Sequence, residues 1–287
     1  RAMVDVEKVS PKISGSIFEY ALTDGLYLNR TNSIVSGNIF RNNNNKVSYY
    51  TPTSIGLNIN GGIATLTENK FINNSIGLSV GSAFATIKNN EFSGNSVKMA
   101  SVGAILGGEI SGNKTSDDIS AQYSRDMINL SSFISYTNST TTLGENQMSY
   151  FISGITSVYS TSTLEIKEGV KMMFSNNGSA SRLYVDGKLI VSGTLEKPVI
   201  FSSNDSIAKS SWQGINMKAG SRAEIKGAVF KNAVTALTYV RSPIILEDTT
   251  FLNNKLGISA DSFSTVLRAI NIIFENNTAT TSPKNLW

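Results

Sequence analysis

The chain has 287 residues, 40% of them apolar, which is enough for a core, and its 25 basic and 21 acidic residues leave a net charge of only +4. The basic residues form no stripe, which argues against a nucleic-acid partner, and no run of about 18 apolar residues is present to span a membrane. With neither cysteine nor histidine, disulfides, Ser-His-Asp and Cys-His catalysis and the usual zinc sites are excluded, so any catalysis must use carboxylates, lysine, arginine or tyrosine.

Arg1 opens within a pattern that is already running, and the chain reads as a processed or excised part of a longer one, which leaves room for an export signal ahead of it. In the first stretch, residues 1–115, an aromatic anchor recurs at Phe18, Phe40, Phe71 and Phe92, with Ile110 in the same role. The spacing, roughly 20–30 residues, suits one basic coil with loop insertions. Three residues after these anchors stand Asn43, Asn74, Asn95 and Asn113, with Ala21 after the first; another row, Asn38, Asn69 and Asn90, precedes the aromatic. Asparagine tolerates the left-handed backbone region and its short amide bonds to nearby main chain, so it fits a sharp bend, and stacked bends can join their amides into a ladder. Between bends, SIVSGNIF, ATLTENKF and ATIKNNEF alternate apolar and polar residues at the period of a strand. One such coil cannot bury its apolar face, and stacking supplies the partner.

Residues 116–150 lack a clear anchor, are rich in Ser and Thr, and read as an irregular linker or insertion with a short helix near 122–130. In the stretch 151–287 the anchors return at Phe174, Phe201, Phe230, Phe251 and Phe274, followed three residues on by Asn177, Asn204, Ala233, Asn254 and Asn277. The strands AEIKGAVF and PIILEDTTF alternate as before. The repeat predicts an all-β, parallel β-helix solenoid of about ten coils, in two tandem stretches or as one solenoid with a large insertion.

TLEIKEGVKMMF, the turn Asp186-Gly187-Lys188, SGTLEKPVIF and the Trp212-x-Gly214-Ile215 step resemble the starting coils of right-handed parallel β-helix domains on bacterial and archaeal surface proteins, within the pectin-lyase-like class. The Asn-rich coils before residue 116 are similar to the β-helix repeat shared by that class and by periplasmic copper-maturation proteins. The resemblance implies right-handed coils; it is specific for fold and unspecific for activity.

Polygalacturonase-like members of the class are expected to carry Asn-Thr-Asp, a paired Asp, Gly-His-Gly and Arg-Ile-Lys. Of these only the pair Asp117-Asp118 is present, in the irregular segment, where a solvated loop pair is the plainer reading. A lyase needs acids around calcium and a basic proton acceptor; Glu247, Asp248, Asp261, Arg241 and Arg268 lie in neighbouring coils. Candidate glycan-stacking rings are Tyr49, Tyr50, Tyr184 and Tyr239, with Tyr123 and Tyr159 beside them, whereas Trp212 opens a strand and reads as core. Among eight N-x-S/T sequons, Asn73, Asn113, Asn129 and Asn138 are candidate N-glycosylation acceptors. The sequence thus reads as a non-enzymatic, extracellular structural or adhesive module of a larger cell-surface protein, without cofactor or metal. Its expected partners are its own neighbouring domains, further copies that cover open coil ends, or surface glycans; the alternative is a polysaccharide-binding or polysaccharide-degrading β-helix.

Overall fold

A computed structural model describes residues 3–44, 54–120, 123–136, 138–176, 181–203, 211–261 and 265–282. Among them the fold is all-β, every registered strand pairing is parallel, and the only helical element is a single 3-10 turn at Ser124–Asp126. The chain is a parallel β-helix. It divides into two compact units, residues 1–130 with 146–148, and residues 131–145 with 149–287.

In the first unit the long strands Asp24–Ser36, Ile55–Thr67, Ile76–Lys88 and Lys98–Ser111 lie rung over rung. Three of them bend where Arg30, Gly61 and Ser82 adopt positive φ, so one strand supplies two faces of a coil. The third face is a five-stranded sheet of short strands: Ile17–Glu19, Ile39–Arg41, Lys70–Ile72, Glu91–Ser93 and Lys114–Thr115. Period-two alternation drives this arrangement: Leu26, Leu57 and Leu78 share a register column and are fully buried, as do Val35 and Leu66 in another. Phe18, Phe40, Phe71 and Phe92 form a stack of near-parallel rings with centroids 4.9–5.1 Å apart, the rung spacing of a sheet.

The bends consist of two residues with different duties. The first has positive φ: Gly37, Glu68, Asn89 and Gly112 on one corner, Asn42, Asn73 and Gly94 on the other. The second is a buried asparagine whose amide runs along the stack. Nδ2 of Asn69 donates to Val35 O of the coil before (2.8 Å) and to Asn90 Oδ1 of the coil after (3.0 Å), while its Oδ1 accepts from Asn38 N and Nδ2. The chain of amides Asn38, Asn69, Asn90, Asn113 and Asn146 continues on this corner, and Asn43, Asn74 and Asn95 form a second chain on the other.

Asn113 therefore belongs to the row that precedes the aromatic, and the expectation that placed it with Asn43, Asn74 and Asn95 is corrected. Ile110 is registered with Ile87 inside a long strand; it is Thr115 that lies opposite Phe92 and takes the anchor's place. The short helix expected near 122–130 is reduced to the 3-10 turn: Met127 is already extended, and Asn129 Nδ2 ties down Ser124 O and Met127 O. Within 116–150 the chain also forms the strands Ile128–Ile134 and Thr140–Leu143.

The second unit repeats the three faces. One carries Thr140–Leu143, Thr163–Lys167 and Lys188–Ser192, continued by the first halves of Arg222–Lys231, Pro243–Leu252 and Thr265–Glu275. The second halves of those three strands stack on Val199–Ser203 and Lys171–Phe174. The remaining face comprises part of Tyr150–Val158, then Arg182–Val185, Ile215–Met217, Thr235–Tyr239, Leu256–Ala260 and Ala279–Ser282. Phe201, Phe230, Phe251 and Phe274 stack at 4.8–5.1 Å, and Asn254 donates to Asn277 Oδ1 at 3.0 Å. Phe174 departs from the expected column: it is registered with Ser203, two places from Phe201, and stacks instead on the buried Trp212 at 4.0 Å. Asn177 and Asn204 lie outside the described residues.

The two asparagines of a bend should respond differently to substitution. Asn74→Ala strands Phe40 O, Asn43 N and Asn43 Nδ2 in the interior and is expected to cost about 2–4 kcal/mol. Asn73→Gly, at an exposed position with φ of 53°, should change stability by less than about 1 kcal/mol. Urea unfolding followed by circular dichroism compares the two, and equal losses would contradict the ladder.

Candidate functional site

With the corners and interior committed to stacking, chemistry is confined to outward side chains. On the second unit, strands Lys188–Ser192, Arg222–Lys231 and Pro243–Leu252 present alternate residues to solvent in register: Lys188 beside Arg222, Ile190 beside Glu224 and Ile245, Ser192 beside Lys226 and Glu247. They outline a shallow groove of about 240 Å³ walled by Glu224, Lys226 and Glu247, with Ile190 and Ile245 among its lining residues. The charges are paired across rungs: Lys188 with Glu224 at 2.7 Å, Glu247 with Arg268 at 3.0 Å and with Lys226 at 3.8 Å.

The candidate lyase residues fall into separate places. Glu247, on the groove wall, is paired with Arg268 from the neighbouring rung. Arg241 pairs with Asp261, whose carboxylate also accepts from Arg241 N at 3.1 Å. Asp248 occupies a corner with φ of 48° and accepts from Asn271 Nδ2 at 2.9 Å. Among the described residues no group of three or more acidic side chains is placed to hold a metal ion. In the first unit, the Asp117 carboxylate takes both its bonds from Gly94 N, at 2.8 and 3.0 Å, and the N–H of Ser120 holds the exposed Asp118 carboxyl below its ordinary range. Nearby, burial pushes the Asp126 carboxyl up, and the guanidinium of Arg125, 3.4 Å away, opposes that rise. A second groove, of about 470 Å³, runs along a corner of the first unit between Glu68, Lys70, Glu91 and Lys114, where Lys70 and Glu91 approach to 3.6 Å.

The tyrosines divide sharply. Tyr184 stands half-buried on the outer face of Arg182–Val185, with the Arg182 guanidinium 5.6 Å and the Lys218 ammonium 5.4 Å from its ring centroid. Arg182 also donates to its hydroxyl at 3.2 Å. Next to it in register lies Asn216, whose Oδ1 is buried without a hydrogen-bond partner. Tyr239, in contrast, is fully buried in the interior column with Met217 and Val185 and offers no ring to a ligand, which corrects the expectation of a stacking role. Tyr49 and Tyr50 lie outside the described residues. Tyr123 is exposed beneath Arg125, and Tyr136 and Tyr159 form an exposed edge-to-face pair. Tyr136 and Lys218 were missed in the sequence because their relevance comes from the neighbouring rung, which spacing alone does not reveal.

The four candidate glycosylation acceptors split in two. Asn73 and Asn138 are exposed. Asn113 and Asn129 are buried, and their Nδ2 atoms are spent: Asn113 on Ile87 O, Ser111 O and Asn146 Oδ1, Asn129 on Ser124 O and Met127 O. Those two are corrected as acceptors in the folded protein, because a sugar on either nitrogen would displace buried bonds.

Residues 135–242 match a family model described as a pectate-lyase like beta helix domain. This agrees with the parallel coils of the second unit, and the fold class is a parallel β-helix. No curated protein and no solved structure matches the chain.

Burial raises the Tyr239 hydroxyl pKa to about 12. An unfolded tyrosine ionises near 10, so between about pH 10 and 12 the unfolded chain has lost a proton that the folded chain keeps, and stability falls as pH rises through that window. Tyrosinate absorbance near pH 11 should show a late-titrating tyrosine that vanishes in Tyr239→Phe; an identical curve for the variant would contradict the burial.

Proposed function

We propose that the chain is a non-enzymatic β-helix module of an extracellular, cell-surface protein, with a structural or adhesive role within a larger adhesin, surface-layer or filament component. The observation that carries this reading is where the polar groups are spent. The corner asparagines bond to the coils on either side, and the acids of the second unit's groove pair with cations on neighbouring rungs. Such a chain resists bending and local opening, because loosening one rung breaks side-chain bonds to two others. Partners on this reading are adjoining domains of the same larger chain or further copies. No membrane span is expected of this segment, and no helix among the described residues is long and apolar enough to cross a membrane.

A second reading, glycan recognition, is favoured by one observation: the half-buried Tyr184 ring stands on an outer face with the Arg182 guanidinium 5.6 Å and the exposed Lys218 ammonium 5.4 Å from its centroid. Aromatic faces take the C–H face of a sugar, and polar neighbours orient its hydroxyls. In the degrading version of this alternative, the Glu224 and Glu247 carboxylates beside the groove would have to act as acid and base.

Incubation of the purified protein with acidic and neutral polysaccharides separates these readings. The structural module leaves the polymers intact; reproducible release of reducing or unsaturated ends, abolished in Glu247→Gln, would overturn it. If glycan recognition operates, an array shows binding that Tyr184→Ala weakens at least tenfold. Antibody labelling of intact source cells tests surface exposure, and signal only after lysis would contradict it.

A further inference from the structure

We propose that Asn138 is an N-glycosylation acceptor whose first N-acetylhexosamine packs on the Tyr136–Tyr159 ring pair. This deepens, and rests on, the extracellular reading above, since the sugar donor is met only on an export route.

The local sequence is Tyr136-Thr137-Asn138-Ser139-Thr140, a sequon with threonine at its third position and an aromatic two residues before the asparagine. The described residues on either side of Thr137 stack on the next coil: Tyr159 N donates to Ser135 O, and Thr163 N donates to Ser139 O at 2.9 Å. Asn138 and Thr161 hold equivalent positive-φ positions, 55° and 63°, at the tips of the two turns, and Asn138 N donates to Thr161 Oγ1 at 3.1 Å. The backbone at the acceptor is thereby held while the residue itself stays exposed. The same stacking brings Tyr136 and Tyr159 together, centroids 4.9 Å apart and planes at 73°, with 44% and 41% of their surfaces open to solvent.

Two rings edge-to-face make an angled apolar shelf. The C–H groups on one face of a pyranose carry slight positive charge and suit the negative face of a tyrosine, while the sugar hydroxyls stay in water. The other sequons among the described residues lack this combination. Asn29 also follows a tyrosine by two, but its Nδ2 already donates to Glu7 Oε1 at 2.9 Å. The aromatic before Asn73 is the fully buried Phe71, and that before Asn276 is Phe274, stacked on Phe251. Asn113 and Asn129 are buried.

In the transfer, Asn138 Nδ2 forms a bond to C1 of an oligosaccharide carried on a lipid pyrophosphate. The C1–O bond to the pyrophosphate breaks, the lipid pyrophosphate leaves with the electron pair, and the amide nitrogen loses one proton. The ring pair takes no part in that step and acts on the product.

The test is secretion of the chain from a glycosylating eukaryotic host, glycopeptide mass spectrometry of each sequon, and thermal unfolding of the glycoprotein against Asn138→Gln. Asn138 should be occupied in most molecules, and its loss should lower Tm by about 2–4 °C. That difference should persist in a Tyr136→Phe background, which keeps the ring, and shrink to under half in Tyr136→Ala or Tyr159→Ala. An unoccupied Asn138, or an undiminished Tm difference in both alanine backgrounds, would overturn the proposal. Because secretion is imposed by the host, these outcomes report on the turn alone; failure of the extracellular reading would appear separately, as absence of the protein from the surface of its own cells.

Discussion

The carboxamide of an interior corner asparagine is used to capacity, and the coil depends on that. Two N–H bonds and two accepted bonds saturate the group: for Asn74 they reach Phe40 O, Asn95 Oδ1, Asn43 N and Asn43 Nδ2. No other side chain makes all four of these bonds. Aspartate has no donor for the carbonyl behind it, serine is too short to bridge a rung, and glutamine adds a methylene where the main chain lies one bend away. Each amide also carries hydrogen bonds along the axis in an interior of low polarity, where a paired group gains and an unpaired one loses about 1–3 kcal/mol.

From that requirement the packing beside it follows. A ladder fixes the offset between rungs, and the offset brings each Phe directly over the next, so amide and ring columns rise together. It also leaves little room on the following strand. A Cβ on Gly56 would stand 2.7 Å from Gly77 O and 3.0 Å from Phe40 Cβ, and one on Gly77 would stand 2.6 Å from Met99 O. These glycines are required for clearance, a reason distinct from turn formation. Where an amide is missing, another donor or acceptor stands in. Trp212 Nε1 donates to Lys231 O at 2.7 Å near a corner that carries Ala233, and Gln147 Oε1 accepts from Thr115 N at 3.0 Å. The corner tolerates a change of residue and does not tolerate an unmet backbone group.

Much of this was legible in the residues. Phe71 and Phe92 do stack, Asn74 and Asn95 do bond, and the alternating segments are the strands. The errors came from a degeneracy in the repeat. Asparagine occurs both two residues before and three residues after the anchor, so an apolar residue five places early makes one row look like the other. Ile110 produced that slip at Asn113, because the true anchor position holds Thr115, which carries no aromatic signal. Phe174 misled in the opposite way, being an aromatic whose ring serves Trp212 rather than the column. Tyr239 sits at an inward place of its strand, where alternation forecast burial and the hydroxyl suggested exposure; alternation won.

The outward sites were the least legible part, for a physical reason. In a solenoid the nearest surface neighbour of a residue lies one coil away, and the coils here differ in length, so sequence separation does not give spatial separation. Tyr184 gains Lys218 from 34 positions on, and Tyr136 gains Tyr159 from 23. The same geometry explains why the sequons divide as they do. An amide nitrogen that serves a ladder sits at the second residue of a bend and faces inward; one that can accept a sugar must sit where its carboxamide faces water. The Asn73-Asn74 pair shows both places side by side, the first exposed with positive φ and the second fully buried. One residue type thus meets two incompatible demands one position apart, and the backbone at each bend decides which demand a given asparagine meets.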